Sequence, residues 1–209
     1  MRLKALITLI TGLFMASSLA AAQAPVVAGP PPLEPENTLL LDLSNGGRVT
    51  IQLRPDMAAG HVERMKTLVR RGFYNGLTFH RVIDGFMAQG GDPKGDGTGG
   101  SDLPDLKAEF NALPHMRGTL SAARADSPDS ANSQFFIMLA PRLTMDGKYT
   151  AYGRVVGGMN FVDGINKGEP PADPTRILQA SIAADNKAPP ASAPAPAAAP
   201  APGAAATPQ

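Results

Sequence analysis

Two runs of alternating apolar residues joined by a glycine turn constrain this chain more than any other feature. Leu39, Leu41 and Leu43 recur at every second position, "SNGG" intervenes, and Val49, Ile51 and Leu53 recur in the same way. A period of two is the mark of a half-buried strand, and a short glycine turn between two such runs predicts a β-hairpin. Further short β-prone runs follow at residues 78–83, 86–89, 118–122, 133–139, 150–155 and 177–182, punctuated by Gly, Pro and Asp clusters. Between the hairpin and these runs, "HVERMKTLVRRG" places Val62, Met65, Leu68 and Val69 at helical spacing and ends on Gly72, a left-handed stop. A second short helix is expected around Phe161 in "GGMNFVDGIN". About eight strands with two helices predict a mainly β chain, a closed eight-stranded antiparallel barrel capped by the helices. Side chains fill the interior of a barrel of that size, so a site is expected on the outer wall or in the loops.

The ends of the chain differ from its middle. Residues 1–22 carry Arg2 and Lys4, an apolar stretch from Leu6 to Met15 and Ala20-Ala21-Ala22, the pattern of a cleavable export signal. The rival reading is an uncleaved anchor, but that stretch is short for a bilayer. Residues 23–37 are Pro-rich and are expected to form an extended leader, and residues 186–209, almost all Ala, Pro and Ser, a disordered tail. That leaves residues 38–185 as the folded domain. With the 209-residue chain holding no cysteine, disulfides, thiolate metal sites and a cysteine nucleophile are excluded. An export signal on a cysteine-free chain suits a bacterial periplasm, with no membrane insertion after cleavage.

Charge and motif spacing remove several further classes of function. Lys+Arg 19 against Asp+Glu 18 leaves no basic excess for nucleic-acid phosphates. "GDGTGG" (95–100) matches G-x-G-x-x-G in letters, but a proline-interrupted loop follows where a dinucleotide site needs a helix, and Asp92, Asp96 and Asp102 would repel a pyrophosphate. Lys94 and Leu103 stand where a calcium loop needs oxygen ligands. These glycines are better read as letting a tight loop pass close to a strand or a bound peptide. His61, His80 and His115 are far apart and in no metal-binding spacing, and Ser121 and Ser133 lack a nucleophile elbow. No metal and no cofactor is therefore expected.

Two segments remain, "FHRVIDGFMAQGGD" (79–92) and "NSQFFIML" (132–139). Each sets hydrogen-bonding side chains among bulky apolar ones, and alone either is compatible with plain barrel core and a charged rim. Together with "GTGG", "AEF", "GTLSAAR" and "MDGKYTAYGRV", in that order, they resemble the cyclophilin family of peptidyl-prolyl cis-trans isomerases from about Thr38 to Ile182. The resemblance implies a shallow proline-binding groove on the outside of the barrel. By position it makes Arg81 the catalytic residue and sets Phe86, Met87, Phe136, Met145 and Tyr149 around the proline. Gln89 falls on the residue that bonds the substrate backbone, Ala123 and Arg124 on the segment beside the extended peptide, and His80 and Gln134 flank the site.

The implied partner is a proline-containing segment of a folding protein, met by a monomer. This sequence departs from the family at Asp84 in "VIDGF", where proline is common, and at Thr144 and Tyr149, where many eukaryotic members carry tryptophan and histidine. Arg124 replaces an asparagine in a slightly longer loop. Two rivals share the barrel: a binding module that holds proline segments without turning them over, and a carrier of small apolar ligands, which would need a hollow interior.

Overall fold

The computed structural model describes residues 33–190. The expected export signal, most of the leader and the tail beyond residue 190 lie outside the described residues. Among the described residues no helix is long and apolar enough to cross a membrane.

The hairpin forms as its alternation predicts. β1 (Thr38–Leu43) pairs antiparallel with β2 (Arg48–Leu53), and Leu39, Leu41, Leu43, Val49, Ile51 and Leu53 all face the core. α1 (Ala59–Arg70) follows, burying Val62, Met65, Leu68 and Val69, and it stops ahead of Gly72, whose φ is 72°. The remaining strands are β3 (Phe79–Ile83), β4 (Met87–Gly90), β5 (Thr119–Ala122), β6 (Phe135–Met138), β7 (Ala151–Gly157) and β8 (Ile177–Ile182). The short α2 (Met159–Asp163) contributes Val162 to the core. α1 packs against β8 and α2 against β2. The last leader residues do not run extended: Pro35–Asn37 form a 3-10 turn tied to α1 by Lys66 and Arg70, which reach Asn37 and Glu36.

All strands belong to one eight-stranded antiparallel sheet, in the order β3-β4-β6-β5-β7-β2-β1-β8. The expected closure is corrected here: the sheet is an open half-barrel. No ladder joins β3 to β8. They meet only where residues 76–78 touch the start of β8, through the Thr78–Arg176 bridge and the bonds of Gly76 and Leu77 to Ile177. The physical reason is that the outer edge of β3 already has other partners. Phe79 N–H donates to Thr175 O, and Val82 and Gly168 exchange a reciprocal pair, so the connection into β8 covers that edge. Covering an edge with a loop is one of the ways a sheet protects it. The inner face is packed with buried apolar side chains from every strand, which removes the carrier reading.

Candidate functional site

The outer face of the sheet carries a second, separate apolar cluster. Met87, Phe136 and Met138 form its buried center, with Ile83, Phe86, Ala123, Met145 and Tyr149 packed against them. Strand alternation builds it: Phe135 and Ile137 of β6 point into the core, and Phe136 and Met138 point out. Gln89 lies opposite Phe136 in the β4–β6 ladder and opposite Arg81 in the β3–β4 ladder.

Arg81 reaches this face through a bulge. Strict alternation from Phe79, a core residue, would send Arg81 inward. The β3–β4 register shifts between Phe79 and Arg81, leaving His80 as the extra residue, so that Val82 returns to the core while Arg81 and Ile83 turn outward. Bulges re-aim side chains in this way.

A cleft of about 120 Å³ results, lined by Arg81, Phe86, Met87, Gln89, Ala123, Arg124, Phe136, Met145 and Tyr149. A neighboring cleft of about 390 Å³ shares Gln89, Ala123 and Arg124 and adds Gln134, the 97–100 loop, Asp105 and Asn132. Gln134 therefore lines the second cleft, and its amide links the two: it accepts from Gln89 Nε2 at 2.9 Å and donates to the carbonyls of Gly97 and Gly99. His80 lines neither. Its ring is buried at 5% exposure, both nitrogens are without a hydrogen-bond partner, and burial pushes its pKa down. It is corrected to a bulge residue behind the site. Asp84, where the family's proline is absent, sits in the exposed β3–β4 turn and faces Lys167 at 3.6 Å.

The walls are held from behind. Phe136 packs edge-on to Tyr149 with ring centers 5.8 Å apart, and His115 stacks under Phe136 at 6.2 Å. His115 Nδ1 is 2.8 Å from Asp146 Oδ1 and its Nε2 3.0 Å from Ser121 Oγ, while Ser121 donates to Thr150 O. This has the order of a serine–histidine–aspartate relay, but Ser121 is 0% and His115 1% exposed, so no substrate reaches either. Asp146 also accepts from His115 N–H and thereby anchors the turn that carries Met145; these bonds hold its carboxyl below the usual range. Arg124 lies 4.7 Å over the Tyr149 ring and donates to the carbonyls of Ala125, Asp126 and Lys148. Its guanidinium braces the wall, while its position remains on the rim of both clefts.

The 92–100 loop is shaped by Asp92. This carboxylate accepts from the backbone N–H groups of Lys94, Asp96 and Gly97. Burial pushes its pKa up, but these donors outweigh that and hold it low. Gly99 permits the close approach that its sequence position implied: a Cβ there would lie 2.0 Å from Asp92 Oδ1. The sequence reading did not name Thr98, Asp105 or Asn132 as lining residues. "DGTGGSD" marked a loop but not what it faced. Nor did it find Glu169, which pairs with Arg81 from 88 positions away.

Residues 38–182 match the family model described as cyclophilin type peptidyl-prolyl cis-trans isomerase/CLD. A probable peptidyl-prolyl cis-trans isomerase from Brucella suis is 47% identical over 190 residues, covering 83% of this chain and 94% of that protein. Peptidyl-prolyl cis-trans isomerase B of Bacillus subtilis is 41% identical over 129 residues, covering 61% and 89%. Among solved structures, a cyclophilin from Hirschia baltica superposes with a TM-score of 0.68 at 28% identity, covering 73% of this chain and 76% of that one. A Cryptosporidium parvum cyclophilin-type isomerase, crystallized in the presence of the dipeptide Ala-Pro, superposes with a TM-score of 0.64 at 28% identity, covering 69% and 98%.

Proposed function

The chain belongs to the cyclophilin-type peptidyl-prolyl cis-trans isomerases, and from that premise we propose that it turns X-Pro bonds in the outer-face cleft, with Arg81 stabilizing the twisted amide. The observation that carries this reading is the convergence of the Arg81 guanidinium, the Gln89 carboxamide and an apolar wall on a single small cleft.

The chemistry follows from the amide. Its partial double-bond character sets a barrier of about 20 kcal/mol, and uncatalyzed exchange takes tens of seconds or longer. Rotation toward the perpendicular state breaks resonance and returns the lone pair to the prolyl nitrogen, which becomes pyramidal and able to accept a hydrogen bond. The planar ground state offers no such acceptor. A donor fixed beside that nitrogen therefore binds the transition state better than the substrate, and only such differential binding lowers a barrier. Arginine suits the task because it stays protonated, so no proton is transferred. One charge-assisted bond contributes roughly 1.5–3 kcal/mol. Phe86, Met87, Phe136, Met145 and Tyr149 would hold the proline ring against that donor, and Gln89 the adjacent backbone. Gln134, Ala123 and Arg124 extend the surface toward the residues before proline.

The substrates on this reading are proline-containing segments of folding proteins, reached outside the cytoplasm after export, by a monomer. The basic and apolar pattern of residues 1–22 supports export. A protease-coupled assay on an Ala-Pro tetrapeptide tests the function and separates it from a module that only holds proline segments. Turnover by the wild type and its loss in Arg81→Ala, with binding retained, is the expected result; equal turnover by both would remove the role of Arg81.

A further inference from the structure

Arg81 does not stand alone in its cleft. Its Nε–H donates to Glu169 Oε2 at 2.6 Å, and the two side chains are 43% and 50% exposed. An ion pair that open contributes little to folding, so stability does not account for it.

The carboxylate is delivered by a fixed stretch of backbone. Gly168 exchanges both main-chain bonds with Val82, at 2.8 and 2.9 Å, which docks residue 168 on the strand that carries Arg81. Gly168 has φ 142°, and a Cβ there would lie 2.6 Å from Pro171 Cα, so only glycine fits. Glu169 is thus tied at its neighboring residue to the same strand whose guanidinium it holds. The other acidic group nearby, Asp84, faces Lys167 instead.

The pair engages one edge of the guanidinium and leaves the other. Among the described residues Nε is bonded, and neither Nη group has a hydrogen-bond partner. In this paired state Arg81 still lines the cleft with Phe86, Met87 and Phe136, so Glu169 is not drawing it away. We propose that Glu169 is a positioning residue: by holding Nε it fixes the guanidinium plane and presents the free Nη groups to the prolyl nitrogen. Donors set in place before the reaction need no reorganization during it. This rests on the reading of Arg81 given above.

The test uses the full chain and its Glu169→Ala, Glu169→Gln, Arg81→Ala and Arg81→Ala/Glu169→Ala variants, with an Ala-Pro tetrapeptide followed by exchange NMR. Glu169→Ala lowers kcat about five- to tenfold with KM within about twofold, since the loss is one of orientation. Its thermal midpoint moves by no more than about 4 °C. Glu169→Gln, whose amide oxygen still accepts from Nε–H, recovers at least about half of the activity. The Arg81 Nε–H resonance shifts in Glu169→Ala, and the double variant is no slower than Arg81→Ala alone. Wild-type or raised kcat in Glu169→Ala beside an inactive Arg81→Ala overturns the positioning role and leaves the reading of Arg81 standing. An unmoved Nε–H resonance overturns it as well. Full activity in Arg81→Ala removes both.

Discussion

Phe135 and Phe136 are consecutive residues of one strand, yet they belong to two different parts of the molecule. Phe135 packs edge-on against Tyr74 and Phe79 inside a core fed by every strand and both helices. Phe136 belongs to a small cluster on the opposite face, rimmed by Arg81, Gln89 and Arg124 and open to a cleft. The inner face is almost wholly apolar, with the Tyr74 hydroxyl satisfied by Ser133 O, because its task is to exclude water. The outer cluster has no covering layer, and an apolar patch left uncovered beside fixed polar groups is what a binding surface requires.

The sharpest way to break the comparison is to exchange stability against activity across the strand. Phe135→Ala is expected to cost about 3–5 kcal/mol of folding stability by urea titration, because the void it leaves is enclosed. Activity per folded molecule should stay near wild type. Arg81→Ala reverses this, with turnover of an Ala-Pro tetrapeptide falling at least about a hundredfold and the urea midpoint unmoved. Phe136→Leu keeps most of the volume, so stability should change by less than about 1.5 kcal/mol, while loss of the flat ring lowers kcat/KM about tenfold. A variant of the outer face that strongly lowers the urea midpoint while leaving turnover per folded molecule unchanged would erase the distinction.

The smallest effect concerns acid, and it acts on both faces in the same direction. His61 is buried, and burial pushes its pKa below the ordinary 6.5, so the unfolded chain takes up a proton that the folded chain refuses. Stability should begin to fall as pH drops through about 6.5. Asp92 and Asp146 are held below the ordinary 3.8 by their donors, and their contribution is lost only further down, as pH falls through those lowered values. Urea midpoints at neutral, mildly acid and strongly acid pH should show two steps. His61→Asn should shrink the first without abolishing it, because buried His80 is pushed down in the same way and adds to that step, and a midpoint that rises on acidification would contradict both assignments.

Much of the fold is readable in the chain because strands announce themselves locally. The hairpin leucines, the α1 stripe with its Gly72 stop and the short runs after it all became the expected elements, since period and turn chemistry act over a few residues. The candidate cleft was legible in outline for a different reason: Arg81, Phe86, Met87, Gln89, Phe136, Met145 and Tyr149 lie in ordered motifs, and the sheet gathers them around one cleft.

What local pattern cannot encode is which distant backbone meets which. The His80 bulge takes that histidine out of the site and puts Arg81 into it, and it exists only because β3 pairs with β4 at a shifted register. The sheet stays open because the connection into β8 occupies the edge of β3. Glu169 becomes the companion of Arg81 through the Gly168–Val82 bonds alone, across 88 residues that carry no shared period. Local patterns along the chain specify the strands, the helices and the chemical kinds of group available. Tertiary structure decided which face each group occupies and what holds it there, because register and edge pairing are properties of two segments at once and are written in neither.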